Sequence, residues 1–205
     1  MASPQVRVPL AFGATTVGVK CKEGIVLASE KRVSYGFMVT SRSAKKVFKV
    51  TDRMAIACAG LMGDMQAIAR TLAAEANLYE LSYNRGISIR SAAKLLANIL
   101  FSQRYMPLYS ETLLGGIDLE GSHLFVLDPL GSIIEDDYAA IGSGAAIAIA
   151  ILEDGYSRVS GLKAAEDLAV RAVKAAIERD ALSGDGVDVL TVSERGVEER
   201  FTSLR

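Results

Sequence analysis

Histidine and cysteine, two common catalytic side chains, are scarce in this chain. It contains one histidine, His123, and two cysteines, Cys21 and Cys58. His123 lies in the strand-like segment 122–126, and the sequence has no Gly-x-Ser-x-Gly elbow, so a structural histidine is favoured over a member of a Ser-His-Asp triad. Both cysteines lie inside apolar strand-like runs. This favours buried free thiols over a disulfide or a metal site.

A different chemistry is indicated by segment 13–19, Gly-Ala-Thr-Thr-Val-Gly-Val, and by the apolar segment 24–28 that follows a polar turn. Small and β-branched residues here predict two strands joined by that turn. The segment resembles the cleavage site of self-processing N-terminal nucleophile hydrolases. In those enzymes a Gly-Thr bond is broken, and the freed threonine supplies its hydroxyl as nucleophile and its amine as base. The two segments together resemble the proteasome β-subunit family, in its archaeal form.

Ala14 occupies the position at which that family has its catalytic threonine, and a methyl group cannot attack a carbonyl. Three explanations are open: a substitution that stops self-cleavage, a natively inactive subunit that only builds the ring, or Thr15 as the true nucleophile. The third is the weakest, because a one-residue slip along a strand reverses the face of the side chain. The spacings to Glu30, Lys46 and Gly60 also match the family only from residue 14. The full set of partner residues favours a substituted active subunit over a natively inactive one.

The resemblance implies roles for further residues. Glu30 would bind the catalytic lysine, Lys46, whose buried ammonium would favour the alkoxide of the nucleophile. The backbone N–H of Gly60 would receive the developing oxyanion. The residues expected to hold the freed amine and its water are Ser143, Asp180 and Ser183. Taken alone, the same segments would indicate a solvated turn at Lys46, a strand end at Gly60 and a helix C-terminus followed by glycine.

The resemblance also implies a site for an extended peptide substrate. Ser34 falls where the family has a threonine or serine whose main chain pairs with the substrate. An apolar pocket of middling size would accept a hydrophobic side chain before the cut bond. The residues expected to form it are Val33, Ala44, Phe48, Cys58 and Met62. No cofactor or metal ion is implied.

Partners follow from the same resemblance. It implies seven-membered rings of β-subunits stacked with rings of α-subunits, enclosing a chamber for unfolded polypeptide, with a regulatory ATPase acting indirectly through the α-rings. Half of the residues are hydrophobic, and surplus apolar surface is often buried between subunits.

Charge and hydropathy argue against several binding partners and cellular locations. A net charge of -1 gives no basic field for nucleic acid or an acidic membrane surface. No apolar run approaches the roughly 20 residues that a membrane helix needs, and residues 1–13 lack the hydrophobic core of a secretory signal. A cytoplasmic protein is therefore expected.

The elements that must position these residues alternate in groups: strands, two helices, strands, two helices, strands. This order predicts an α+β fold, a four-layer α-β-β-α sandwich of the N-terminal nucleophile hydrolase type. Residues 1–13 are expected to be a propeptide and 14–205 a single domain. The helices are expected at about 62–83, 88–105, 145–152 and 160–180, and residues 33–43 are expected to be less regular.

Two other functions stay open at this stage. A bacterial two-ring threonine peptidase fits the C-terminal half less well, because of its Gly-Gly-Ile-Asp and Ser-Gly-Asp-Gly segments. A small-molecule amidase of the same fold is also possible, since a fold by itself does not determine the reaction.

Overall fold

The computed structural model describes residues 13–36 and 38–204. The expected propeptide therefore lies, apart from Gly13, outside the described residues. In chain order the strands are β1 (Thr16–Cys21), β2 (Gly24–Glu30), β3 (Val33–Tyr35), β4 (Met38–Ser41), β5 (Val47–Thr51), β6 (Met54–Gly60), β7 (Ser110–Asp118), β8 (Gly121–Leu127), β9 (Ile133–Glu135), β10 (Tyr138–Ile141), β11 (Val187–Ser193) and β12 (Gly196–Thr202). The helices are α1 (Met62–Tyr83), α2 (Ile89–Ser102), α3 (Ala145–Tyr156) and α4 (Leu162–Ile177).

Two antiparallel five-stranded sheets face each other in the middle of the molecule. Their strand orders are β10-β1-β2-β11-β12 and β5-β6-β7-β8-β9. Helices α3 and α4 cover the outer face of the first sheet, and α1 and α2 cover the outer face of the second. The predicted four-layer α-β-β-α sandwich is confirmed.

The buried side chains form three apolar layers, one between the sheets and one under each helix pair. Strand β6 shows how one segment serves two of them. Ala55, Ala57 and Ala59 point between the sheets, whereas Ile56 and Cys58 point towards α1 and α2. Because successive side chains of a strand alternate between faces, a continuous apolar run is buried on both sides. Such burial anchors the strand whose end forms part of the candidate site.

Several predicted boundaries are wrong. Residues 33–35 and 38–41 form the two-stranded sheet β3-β4, whose register shifts between Val33 and Ser34. Strands this short carry too few alternating residues to be recognised. Helix α3 continues to Tyr156, beyond the expected end near Leu152. Gly155 lies inside it at a close contact with α4, where a Cβ would lie 2.3 Å from Leu168 Cδ1. Helices α2 and α4 are shorter than expected at their C-terminal ends.

The structure places the histidine and the two cysteines mostly as expected. His123 is buried in β8, with Nδ1 2.7 Å from Glu135 Oε1. Both cysteines are free, and Cys58 is fully buried, but Cys21 is only partly buried, contrary to expectation. Within the described ranges, no helix has the length and apolar character required to cross a membrane.

Candidate active site

Ala14 lies two residues before the start of β1, in the apolar layer between the sheets. Its side chain is fully buried in the same cluster as Ala59 and Ile141. Its N–H donates to Ser143 Oγ over 3.2 Å. The chain at Gly142 passes so close that a Cβ would lie 2.3 Å from the Ala14 carbonyl oxygen, and Gly142 has φ +89°. Only glycine fits there, and it brings the Ser143 hydroxyl next to the main chain of residue 14.

Glu30 and Lys46 form a buried ion pair near the end of β2. Their side chains are 0% and 1% exposed, and Lys46 Nζ donates to Glu30 Oε1 and, over 2.6 Å, to the carbonyl oxygen of Arg32. Glu30 Oε2 accepts the N–H groups of Arg32 at 2.6 Å and Gly184 at 3.0 Å. These bonds hold both side chains in one orientation.

Burial has opposite effects on the two members of this pair. It raises the pKa of Glu30 and lowers the pKa of Lys46, because water no longer solvates either charged form. Their mutual attraction opposes both shifts without cancelling them. Lys46 therefore gives up a proton more readily than an exposed lysine, which suits a group that exchanges a proton with a nearby hydroxyl.

Asp180 gathers two hydroxyl groups in the loop after α4. Its Oδ2 accepts from Ser143 Oγ at 2.5 Å and from Ser183 Oγ at 2.6 Å. Its Oδ1 accepts the N–H of Leu182 at 3.1 Å. Ser143 in turn is the acceptor for the Ala14 N–H, so the three residues expected around the amine lie together beside residue 14.

The ion pair and the Asp180 loop are joined by Arg32, which sequence reasoning did not single out. Its main chain binds Glu30 and Lys46, while its guanidinium donates to Asp185 Oδ2 at 2.9 Å and to the Ala181 carbonyl oxygen at 3.0 Å. Asp180 also lies close enough for its negative charge to oppose the lowering of the Lys46 pKa. The two clusters therefore form one connected site.

Thr15 is a second residue whose role the sequence did not reveal. It is fully buried, and its Oγ1 lies 2.7 Å from Ser183 Oγ. Thr16, the next residue, instead bonds to Ser29 Oγ at 2.7 Å and to the Cys58 carbonyl oxygen at 3.0 Å. Strand alternation is the only sequence signal for this difference, since it sends neighbouring side chains to opposite faces.

Gly60 ends β6 with φ +144°, and a Cβ there would lie 2.1 Å from the Tyr109 carbonyl oxygen. The next residue, Leu61, donates its N–H to the same oxygen over 2.7 Å. Close packing against β7 is thus a sufficient reason for glycine here.

Three of the residues expected to bind substrate share one apolar cluster. Phe48, Cys58 and Met62 lie in one cluster beneath α1 and α2, where burial raises the pKa of the Cys58 thiol to about 12. Val33 begins β3, and the Ala44 N–H donates to the Lys31 carbonyl oxygen, so both lie on the segment that flanks the ion pair rather than in that cluster.

Ser34 is 8% exposed, and its Oγ has no hydrogen-bond partner within residues 13–36 and 38–204. In the same part of the chain there is no group of three or more His, Cys, Asp or Glu residues that could hold a metal ion.

Comparison with known proteins gives matches over almost the whole chain. The family model described as proteasome subunit matches residues 11–192. The proteasome subunit beta 2 of Pyrobaculum arsenaticum is 54% identical over 194 residues, which cover 95% of this chain and 96% of the relative. The proteasome subunit beta 1 of Hyperthermus butylicus is 55% identical over 181 residues, which cover 88% and 89%. The proteasome subunit beta 1 of Ignicoccus hospitalis is 53% identical over 180 residues, which cover 88% and 90%.

Proposed function

The chain belongs to the proteasome β-subunit family, and we propose that it carries a threonine-type endopeptidase site whose nucleophile position is filled by Ala14. Members of the family are generally threonine peptidases. The observation that carries the proposal is the polar environment of an apolar position. A hydroxyl–carboxylate cluster bonds to the main chain of Ala14, and Arg32 connects the loop that carries this cluster to a buried ion pair. Burying charged groups costs free energy even when they are paired, and such groups cluster at functional sites, so this arrangement beside a methyl group suits a site built for a hydroxyl.

Each group then has a role in peptide-bond hydrolysis. Lys46, oriented by Glu30, lowers the proton affinity of the nucleophilic hydroxyl. Gly60 donates its N–H to the oxyanion. The cluster of Ser143, Asp180 and Ser183 holds the amine of residue 14, which acts as the general base. With alanine at position 14, the attacking hydroxyl oxygen is missing.

Thr15 does not substitute for it. Its hydroxyl is fully buried and bonded to Ser183, so it is turned away from the inter-sheet face occupied by the side chain of Ala14. The proposal therefore keeps residue 14 as the nucleophile position.

The assembly and the boundaries of the mature chain belong to the same proposal. Family members assemble with α- and β-subunits in rings. We infer seven-membered rings in the cytoplasm, which enclose a chamber for unfolded polypeptide and are served by a regulatory ATPase through the α-rings, with residues 1–13 as propeptide and 14–205 as the domain. Large exposed apolar side chains support burial between subunits; among them are Leu81, Tyr105 and Met106, which are 84–87% exposed.

The test is Ala14→Thr in particles assembled with α-subunits. Because the partner groups are already in place, the variant should remove its propeptide and cleave fluorogenic peptides with hydrophobic, basic or acidic residues before the cut bond. Loss of a nucleophile costs on the order of 10⁶ in rate in a comparable hydrolase, so the gain should be plain. Adding Lys46→Ala to the Ala14→Thr variant should abolish most of the peptidase activity gained. Particles of Ala14→Thr that neither lose the propeptide nor cleave any peptide would reject the proposal.

The second candidate is a natively non-catalytic β-subunit that only builds the ring. It is favoured by the complete burial of the Ala14 methyl group in an apolar cluster, where it packs as a core residue. An inactive Ala14→Thr particle of normal size would support it.

A further inference from the structure

We propose that Thr15 is a positioning residue of this site: its hydroxyl fixes Ser183 and, through Ser183, the carboxylate of Asp180. The inference rests on the proposed function, since the groups that it positions are those proposed to hold the amine of residue 14.

The hydrogen bonds form one continuous series across the site. It runs from Thr15 Oγ1 to Ser183 Oγ (2.7 Å), to Asp180 Oδ2 (2.6 Å), to Ser143 Oγ (2.5 Å) and to the Ala14 N–H (3.2 Å). Thr15 and Ser183 are 0% and 1% exposed, so water does not replace either bond at that end. This series of hydrogen bonds thus begins and ends on two consecutive residues, Thr15 and Ala14, just before β1.

The direction of each bond follows from the numbers of protons. A carboxylate oxygen only accepts, so Ser143 and Ser183 both donate to Asp180 Oδ2. A hydroxyl has a single proton, and that of Ser183 is used for Asp180. Thr15 must therefore donate to Ser183. Without this donor, Ser183 would lose the partner that sets its rotamer. The hydrogen bond from Ser183 to Asp180 would then be less well oriented.

The Thr15 hydroxyl is itself held in place from the other side. The main chain of Gly144 lies so near that a Cβ at 144 would be 2.0 Å from Thr15 Oγ1. Threonine is stiff at χ1 because of its branched Cβ. Enclosed between Gly144 and Ser183, the hydroxyl has one position, which makes it a fixed reference for the cluster.

Thr16, the next residue and the first of β1, provides a matched comparison. It too is fully buried, and it too bonds to a serine hydroxyl at 2.7 Å, that of Ser29. None of its hydrogen bonds reaches Asp180 or Ser143. Replacing either threonine by valine keeps the shape and removes one buried hydroxyl, so the two variants differ mainly in the network that they disturb.

The experiment compares Thr15→Val, Thr15→Ser and Thr16→Val, each in assembled Ala14→Thr particles. Thr15→Val should lower kcat about tenfold, as expected for a lost buried hydrogen bond that orients a catalytic group, and should change KM less than about twofold. Thr15→Ser should return kcat to within about threefold of the parent. Thr16→Val should keep the parent kcat. A Thr15→Val particle with parental kcat, or an equal loss in Thr16→Val, would overturn the inference.

A second measurement separates this inference from the proposed function. If Ala14→Thr itself is inactive, the proposed function fails, and Thr15 is tested by crystal structures of Thr15→Val and Thr16→Val particles that retain Ala14. Thr15→Val should break at least one bond between Asp180 and the hydroxyls of Ser143 and Ser183, whereas Thr16→Val should keep both. An undisturbed cluster in Thr15→Val would reject the positioning role whatever the activity of the site.

Discussion

The ammonium of Lys46 and the carboxylate of Glu30 are paired in the protein interior, with 1% and 0% of their side chains exposed. Each also binds main-chain groups: Lys46 the carbonyl oxygen of Arg32, and Glu30 the N–H groups of Arg32 and Gly184. The ion pair and these main-chain hydrogen bonds together offset the free-energy cost of removing both charges from water. The pair is therefore both a component of the candidate site and a vulnerable point of the fold.

Removing one partner of the pair should destabilise the chain strongly. Lys46→Met is expected to cost about 3–5 kcal/mol of unfolding free energy, because it leaves the Glu30 carboxylate buried without a counter-charge. Adding Glu30→Gln should recover part of the loss, since a neutral amide is cheaper to bury and its oxygen still accepts a main-chain N–H. Urea titration of the full chain, followed by circular dichroism, measures both.

The control for the ion pair is an exposed one. Arg158 and Asp154 are 2.7 Å apart with 64% and 74% of their side chains exposed. Arg158→Ala should cost at most about 0.5 kcal/mol, since solvent screens such pairs. Equal losses in Lys46→Met and Arg158→Ala would contradict the importance assigned to the buried pair.

The chain should keep its propeptide. Self-cleavage and turnover require the same hydroxyl, and Ala14 has none, so purified particles should contain residues that precede Ala14. Intact mass spectrometry measures this directly. A chain that begins at Ala14 or Thr15, purified without any active partner subunit, would contradict the expectation. Partial trimming by an active neighbour, ending before residue 14, would not.

Local patterns were sufficient to predict the framework of the site. The apolar spacing of Ile68, Leu72 and Ala76 predicts α1, and all three are buried under it. A serine just before an apolar helical pattern predicts an N-cap, and the Oγ of Ser88, at the start of α2, accepts the Ser91 N–H. Signals of this kind succeed because the residues that determine the element are also its own members.

The connections within the site could not be predicted in this way. Thr15 bonds to a residue 168 positions away, and Arg32 to one 153 positions away. Nothing in the segments around Thr15 or Arg32 indicates those partners, because they are brought together by the pairing of β2 with β11 and by the loop that precedes β11. The resemblance supplied Ser143, Asp180 and Ser183 as members of a family motif, but not the residues that hold them in position.

The acid stability of the fold should depend on Glu135, at some distance from the site. Its carboxylate lies 2.7 Å from His123 Nδ1 and 2.7 Å from Arg90 Nη2. The hydrogen bond with His123 and then that with Arg90 lower the pKa of Glu135 below its ordinary value of 4.5. These contacts tie β8, β9 and α2 together.

The sign of the effect follows from proton binding. Below pH 4.5 the unfolded chain takes up a proton at Glu135 before the folded chain does, so this residue's stabilising contribution is present above pH 4.5 and is lost as the pH falls through the lower folded pKa. Glu135→Gln has no such proton to bind, and its unfolding free energy should fall less steeply than that of the parent between pH 4.5 and more acidic values. Urea titrations over this range test it, with Glu153→Gln on α3 as the control for losing one carboxylate. Parallel acid slopes for Glu135→Gln and the parent would show that the His123 contact does not govern this part of the acid response.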